Sequence, residues 1–343
     1  MSVQISKEER MSTKNWNIIG HEWAVKSLQQ HVISGIQKQA YLITGPEGVG
    51  RRTLAIRFAQ ALNCLQLSGD GVPCLECSSC DQFERMVHPD LTVVESDGSG
   101  LQIKVDQVRD LQYDLHLAPY EAKYRIALLL RFEEANSFTN NALLKTLEEP
   151  PAKVIILITA ESAERLLPTI VSRCEVIRLQ QVPSLTLNQG LQSQWLVPPV
   201  EADLLAHISG GRPGYSFQLY QKPELIAQRN QWLADLINLL TANRIARFAF
   251  ADNLRKNPSD IYALLRIWQG FWRDVMLRST KSNSQISNID YQEEIDRLSR
   301  DVQKVKAIEI LTAIDRLFDL LDHNVNPRLA IEDLMLILPF DKN

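Results

Sequence analysis

A short apolar run, Ala40-Tyr-Leu-Ile-Thr44, leads straight into Gly45-Pro-Glu-Gly-Val-Gly50 and then into a stretch with helical spacing, Thr53 to Asn63. This order of strand, glycine-rich turn and helix constrains the fold more than any other feature of the chain. In such a loop the glycines let backbone N–H groups converge on a phosphate at a helix N-terminus. Three further short, branched, apolar runs read as strands: Leu91 to Glu95, Arg125 to Leu130 and Val154 to Thr159. A fourth, Val176 to Leu179, closes the series. Strands separated by helical stretches predict an α/β domain with a parallel sheet and helices on both faces.

The loop departs from a working phosphate site at the positions that matter. Gly45, Gly48 and Gly50 supply the turn, but Arg51 and Arg52 stand where Lys and then Ser or Thr belong. The hydroxyl of Thr53 arrives one residue late, about 100° around the helix from the position that would face magnesium. Arg51 can pair with phosphate, though not as the compact ammonium such loops use. Hydrolysis also needs acidic residues at a strand end to hold magnesium and orient water. There the chain has Leu130-Arg131, and Glu133 and Glu134 follow, read as the solvated start of a helix. ATP and magnesium are therefore not expected to support turnover, and nucleotide binding at Gly45 to Thr53 stays open.

Four of the five cysteines, Cys64, Cys74, Cys77 and Cys80, fall within one short stretch with spacing C-x9-C-x2-C-x2-C. Two tight x2 steps match a closed tetrahedral zinc site, which leaves no open coordination position for catalysis. The insertion has too few apolar residues to fold alone, so metal would supply its folding energy. His88 reads as a packing or capping residue before Pro89 rather than a ligand. A double proline stops the helix running from Asn141 to Glu149. Pro168 opens a short helix that ends at Ser172-Arg173-Cys174.

Together, Asn141 to Pro151, Ser172-Arg173-Cys174, the four-cysteine insertion after the loop helix and Trp16-Asn-Ile-Ile-Gly-His21 resemble bacterial clamp-loader subunits of the AAA+ class. Gly210 to Gly214 and Asn326 to Glu332 extend the resemblance over nearly the whole chain. It implies an AAA+ P-loop-type domain, a small helical lid and an all-α C-terminal collar through which five subunits form a ring. The implied partners are ATPase motor subunits, a delta subunit, the sliding clamp and, through the assembly, primed DNA, within the DNA polymerase III holoenzyme. In that family the arginine of the Ser-Arg-Cys triplet acts in trans on a neighbour's ATP; here it is Arg173. Thr159 takes the position of the polar sensor of active relatives, and Gly214 stands where they carry a lid arginine. The resemblance thus implies a rigid, non-hydrolysing subunit that completes its neighbour's site. The competing enzyme reading is an active AAA+ ATPase with an atypical loop.

Composition limits the alternatives. The net charge is −4, from 37 basic and 41 acidic residues, so no global basic field advertises nucleic-acid binding. No basic residue lies between Cys64 and Cys80, which argues against a stand-alone zinc-dependent DNA-binding module. No apolar run is long enough to span a bilayer and the N-terminus lacks the apolar core of a signal peptide, so a cytoplasmic protein is expected. The expected division is a polar tail over 1–14 (with Met11 as an alternative start), the α/β domain over 15–180 carrying the insertion at 64–80, the lid over 181–217 and the collar over 218–343. Ser279 to Ser287 reads as a mobile loop.

Overall fold

The structure is a computed structural model that describes residues 15–96, 102–254, 258–280, 282, 284–301, 304–323 and 325–340. The polar stretch 1–14, with Met11, lies outside the described residues, as do positions 281 and 283 of the expected loop. The chain forms two compact units: residues 1–198 with 211–215, and residues 199–210 with 216–343. The segment 181–217 is thus divided between the two.

The first unit is built on a five-stranded parallel sheet of β1 (Ala40–Thr44), β2 (Leu91–Val94), β3 (Arg125–Leu129), β4 (Val154–Ala160) and β5 (Glu175–Arg178), in the order β2-β3-β4-β1-β5. The three central strands β3, β4 and β1 are buried along their whole length, which is why they read as unbroken apolar runs rather than alternating ones. Alternate residues nevertheless serve different faces. Tyr41, Ile43, Ile126, Leu128, Ile155 and Leu157 meet α1 (Glu22–Ser34) and α2 (Arg51–Asn63). Leu42, Ala127, Leu129, Ile156 and Ile158 face α4 (Val105–Leu115), α5 (Ser137–Glu148) and α6 (Pro168–Val171). Between α2 and β2 lies α3 (Ser78–Glu84), and after β5 comes α7 (Ser184–Trp195).

Asp90, just before β2, is fully buried. It accepts hydrogen bonds from the backbone N–H of Tyr120 (2.6 Å), Glu121 (2.9 Å) and Ala122 (2.8 Å) and pairs with Arg125 at 3.2 Å. One carboxylate thereby fixes the loop that leads into β3.

The second unit is helical: α8 (Pro199–Ile208), the end of α9 (Pro213–Gln221), α10 (Pro223–Thr241), α11 (Arg244–Leu254), α12 (Pro258–Ser279), α13 (Gln292–Asp301), α14 (Lys304–Asp322) and α15 (Pro327–Ile337). Its core gathers Leu233, Leu236, Trp268, Phe271, Trp272, Ile310 and Ile331 from four of these helices. Helix ends leave carbonyls unpaired and carry partial negative charge. Buried Arg247 answers both at once: it donates to the carbonyls of Leu239 and Leu240 near the end of α10, and to those of Met335, Leu338 and Pro339 at the end of α15. Among the described residues no helix is long and apolar enough to cross a membrane.

Candidate functional site

The glycine-rich loop sits between β1 and α2, as the sequence requires, with Gly45, Gly48 and Gly50 all at positive φ (148°, 78° and 111°). Two of its carbonyls and one of its side chains meet other parts of the chain. The Gly48 carbonyl accepts from the Gly214 N–H at 2.7 Å, and a Cβ at Gly48 would come within 2.9 Å of the Tyr215 Cβ. The Val49 carbonyl accepts from His21 Nε2 at 3.1 Å; burial lowers the pKa of this imidazole, so it serves as a neutral N–H donor. Arg51, almost fully buried, turns its guanidinium to Glu133 at 3.7 Å, while Arg52 and Thr53 are exposed.

Glu133 corrects the sequence reading of a solvated acid. It lies in a 3-10 turn, Phe132–Glu134, accepts from the backbone N–H of Glu161 at 3.1 Å, and is mostly buried against Arg51. Leu130 is buried at the end of β3, where a magnesium-binding acid would stand, and Arg131 leaves the strand at positive φ and pairs with Glu134. Thr159, expected as a polar sensor, is engaged within the sheet: its hydroxyl accepts from the Arg131 N–H (3.0 Å) and faces the Leu129 carbonyl at 3.4 Å.

The four cysteine Sγ atoms converge, all within 4.8 Å of one another. Four sulfurs around a tetrahedral ion at about 2.3 Å lie about 3.8 Å apart, so the cluster is near the size that a metal requires. Backbone N–H groups also point at sulfur, from Cys74 to Cys64 Sγ (3.3 Å), from Cys77 to Cys74 Sγ (3.3 Å) and from Cys80 to Cys77 Sγ (3.4 Å). Partial burial pushes the Cys77 thiol up, but the N–H groups of Cys80 and Leu65, with the neighbouring thiols, outweigh it and bring the pKa to about 7. Soft donors of this kind suit zinc, copper(I) or iron–sulfur centres. His88 is not among the donors; its ring stacks on Phe83 (centroids 4.2 Å apart) and Nδ1 accepts from the Asp90 N–H.

Arg173 lies just beyond α6 and is exposed. It donates from Nη1 to the Thr169 carbonyl (2.9 Å) and from Nη2 to Glu148 Oε1 (2.7 Å). Cys174 beside it is half-buried, and burial pushes its thiol up to about 12.

A five-stranded parallel sheet with a glycine-rich turn between β1 and α2, followed by a helical unit, defines an α/β domain of the P-loop type joined to an all-α one. The family described as "DNA polymerase III, delta subunit" matches residues 20–183, and its "C terminal" counterpart matches residues 223–338. The DNA polymerase III subunit delta' of Pseudomonas aeruginosa is 33% identical over 70% of this chain and 71% of its own length. Its namesake from Bacillus subtilis is 32% identical over 49% of this chain and 50% of its own length. A DNA polymerase III gamma subunit-related protein of Thermotoga maritima superposes with a TM-score of 0.42 at 16% identity, over 91% of this chain and 97% of its own. The chain belongs to the DNA polymerase III delta' family.

Proposed function

We propose that the chain is a non-hydrolysing structural and regulatory subunit of a bacterial clamp loader, the assembly that places a sliding clamp on primed DNA in the cytoplasm. On this reading it joins motor subunits and a delta subunit in a five-membered ring, with residues 218–343 as the collar and 181–217 as a lid. Arg173 completes the ATP site of the adjacent motor subunit, where an arginine finger stabilises charge on the transferred phosphoryl group. Cys64, Cys74, Cys77 and Cys80 hold a structural zinc ion.

The observation that carries the reading is the placement of Arg51, which is buried and lies 3.7 Å from Glu133 as an ion pair inside the chain rather than standing free at the loop mouth. The magnesium-ligand hydroxyl and strand carboxylates are absent as well, and such losses act together rather than additively. ATP turnover by the purified chain tests it. The expected result is no turnover above background, with Arg51→Lys still inactive because the magnesium ligands remain missing. Turnover comparable to that of an active motor subunit would refute the proposal.

A further inference from the structure

Arg173 is a long side chain at the surface, yet two elements hold it. The Thr169 carbonyl of α6 takes Nη1, and Glu148, the last residue of α5, takes Nη2. Two anchors on two different nitrogens fix the plane of the guanidinium as well as its position. Only two of its five N–H donors are engaged among the described residues, and the side chain stays 35% exposed, so it is held while still presenting donors outward.

Glu148 is itself well placed. Leu147 before it is buried, the Glu149 N–H donates back to the Lys145 carbonyl, and Pro150-Pro151 ends the helix. A carboxylate at a helix C-terminus opposes the macrodipole, so the position favours a partner that is cationic. An exposed ion pair adds little to folding. What it adds here is orientation.

We infer that Glu148 is a positioning residue that pre-aligns Arg173 for a neighbour's phosphate; this rests on the reading of Arg173 as a finger in trans. A free arginine would have to lose its rotamer freedom at the moment of reaction, whereas one already held has lost it on folding. Glu148 does not touch the phosphate. Its effect passes through Arg173 alone.

The test reconstitutes the complete clamp-loader assembly with Arg173→Ala, Glu148→Ala, Glu148→Gln or the Arg173→Ala/Glu148→Ala double variant, and measures kcat and KM for ATP at the adjoining site. Glu148→Ala should lower kcat about tenfold, equivalent to about 1.4 kcal/mol, with KM within about twofold of wild type. Glu148→Gln keeps an acceptor oxygen and should recover most of the loss. In the Arg173→Ala background, Glu148→Ala should add nothing. If Arg173→Ala is slow while Glu148→Ala runs at or above the wild-type kcat, the positioning role is overturned and the finger stands. If Arg173→Ala also runs at the wild-type rate, both fall.

Discussion

Asp90 has no exposed surface, three backbone N–H donors and one guanidinium. Burial alone would raise its pKa; the N–H groups of Tyr120, Glu121 and Ala122, with Arg125, overcome that and hold the carboxyl below the ordinary carboxylate value. The folded-state pKa is therefore below the unfolded value of about 3.9, so the stabilisation is complete above that pH and lost as pH falls through the folded pKa. Asp90→Asn should cost about 3 kcal/mol at pH 7, because it leaves Arg125 buried without its counter-charge. The gap to wild type should narrow on acidification below about pH 4. Urea denaturation of both proteins at pH 7 and pH 3.5 measures it, and a gap independent of pH would show that the charge of Asp90 is not what holds the loop. At this scale the sequence is legible where chemistry is local. Arg51, Arg52 and Thr53 could be recognised as wrong for a phosphate loop from the motif alone. The pairing of Arg51 with Glu133 could not, because only the parallel stacking of β1, β4 and β3 brings the two residues together.

Among the elements, α3 offers a way to separate metal binding from helix capping. Cys77 is its N-cap, with Sγ accepting from the Cys80 N–H, and serine is a favoured residue at that position. Cys77→Ser should therefore preserve the cap while removing one metal ligand. On the proposal that the cluster holds one zinc ion per chain, the expected outcome is loss of that metal and of hydrogen-exchange protection across residues 64–84, with the sheet and the helical unit unchanged. Metal analysis and exchange mass spectrometry read this; full protection with zinc retained would mean the Cys77 thiol is dispensable. The three central strands were legible because burial on both faces writes them as apolar runs. Helices α9 and α10 are divided at Lys222, with Pro223 opening the second. The signal was present in the proline, which favours a first helical turn over an interior position. Helix α4 drew no sequence assignment, although Val108, Leu111 and Leu115 are spaced to face the sheet and are buried there. At its start the Lys104 N–H donates to Gln107 Oε1, a weaker sequence signature than a hydroxyl or carboxylate cap.

At the scale of the whole molecule, the chain passes between its two units at three points, 198/199, 210/211 and 215/216. The short return over 211–215 is built into the first unit. The Val182 N–H donates to the Gly211 carbonyl at 2.8 Å, and a Cβ at Gly211 would lie 2.4 Å from the Val182 carbonyl oxygen. Gly214 in the same return reaches Gly48. Cleavage at 198/199 should then leave a nicked protein that co-elutes as a single species in native size-exclusion chromatography, since the downstream fragment still supplies 211–215 to the upstream one. Two separated peaks would mean that this return contributes nothing to cohesion. The same stitch constrains how such a protein can be recombined with its relatives. A crossover at one junction would pair a glycine-rich loop from one parent with a Gly211-to-Tyr215 return from another, and any side chain in place of Gly48 would press within 2.9 Å of the Tyr215 Cβ. Viable chimaeras would have to transfer the loop and its return together, so two stretches far apart in sequence behave as one heritable block.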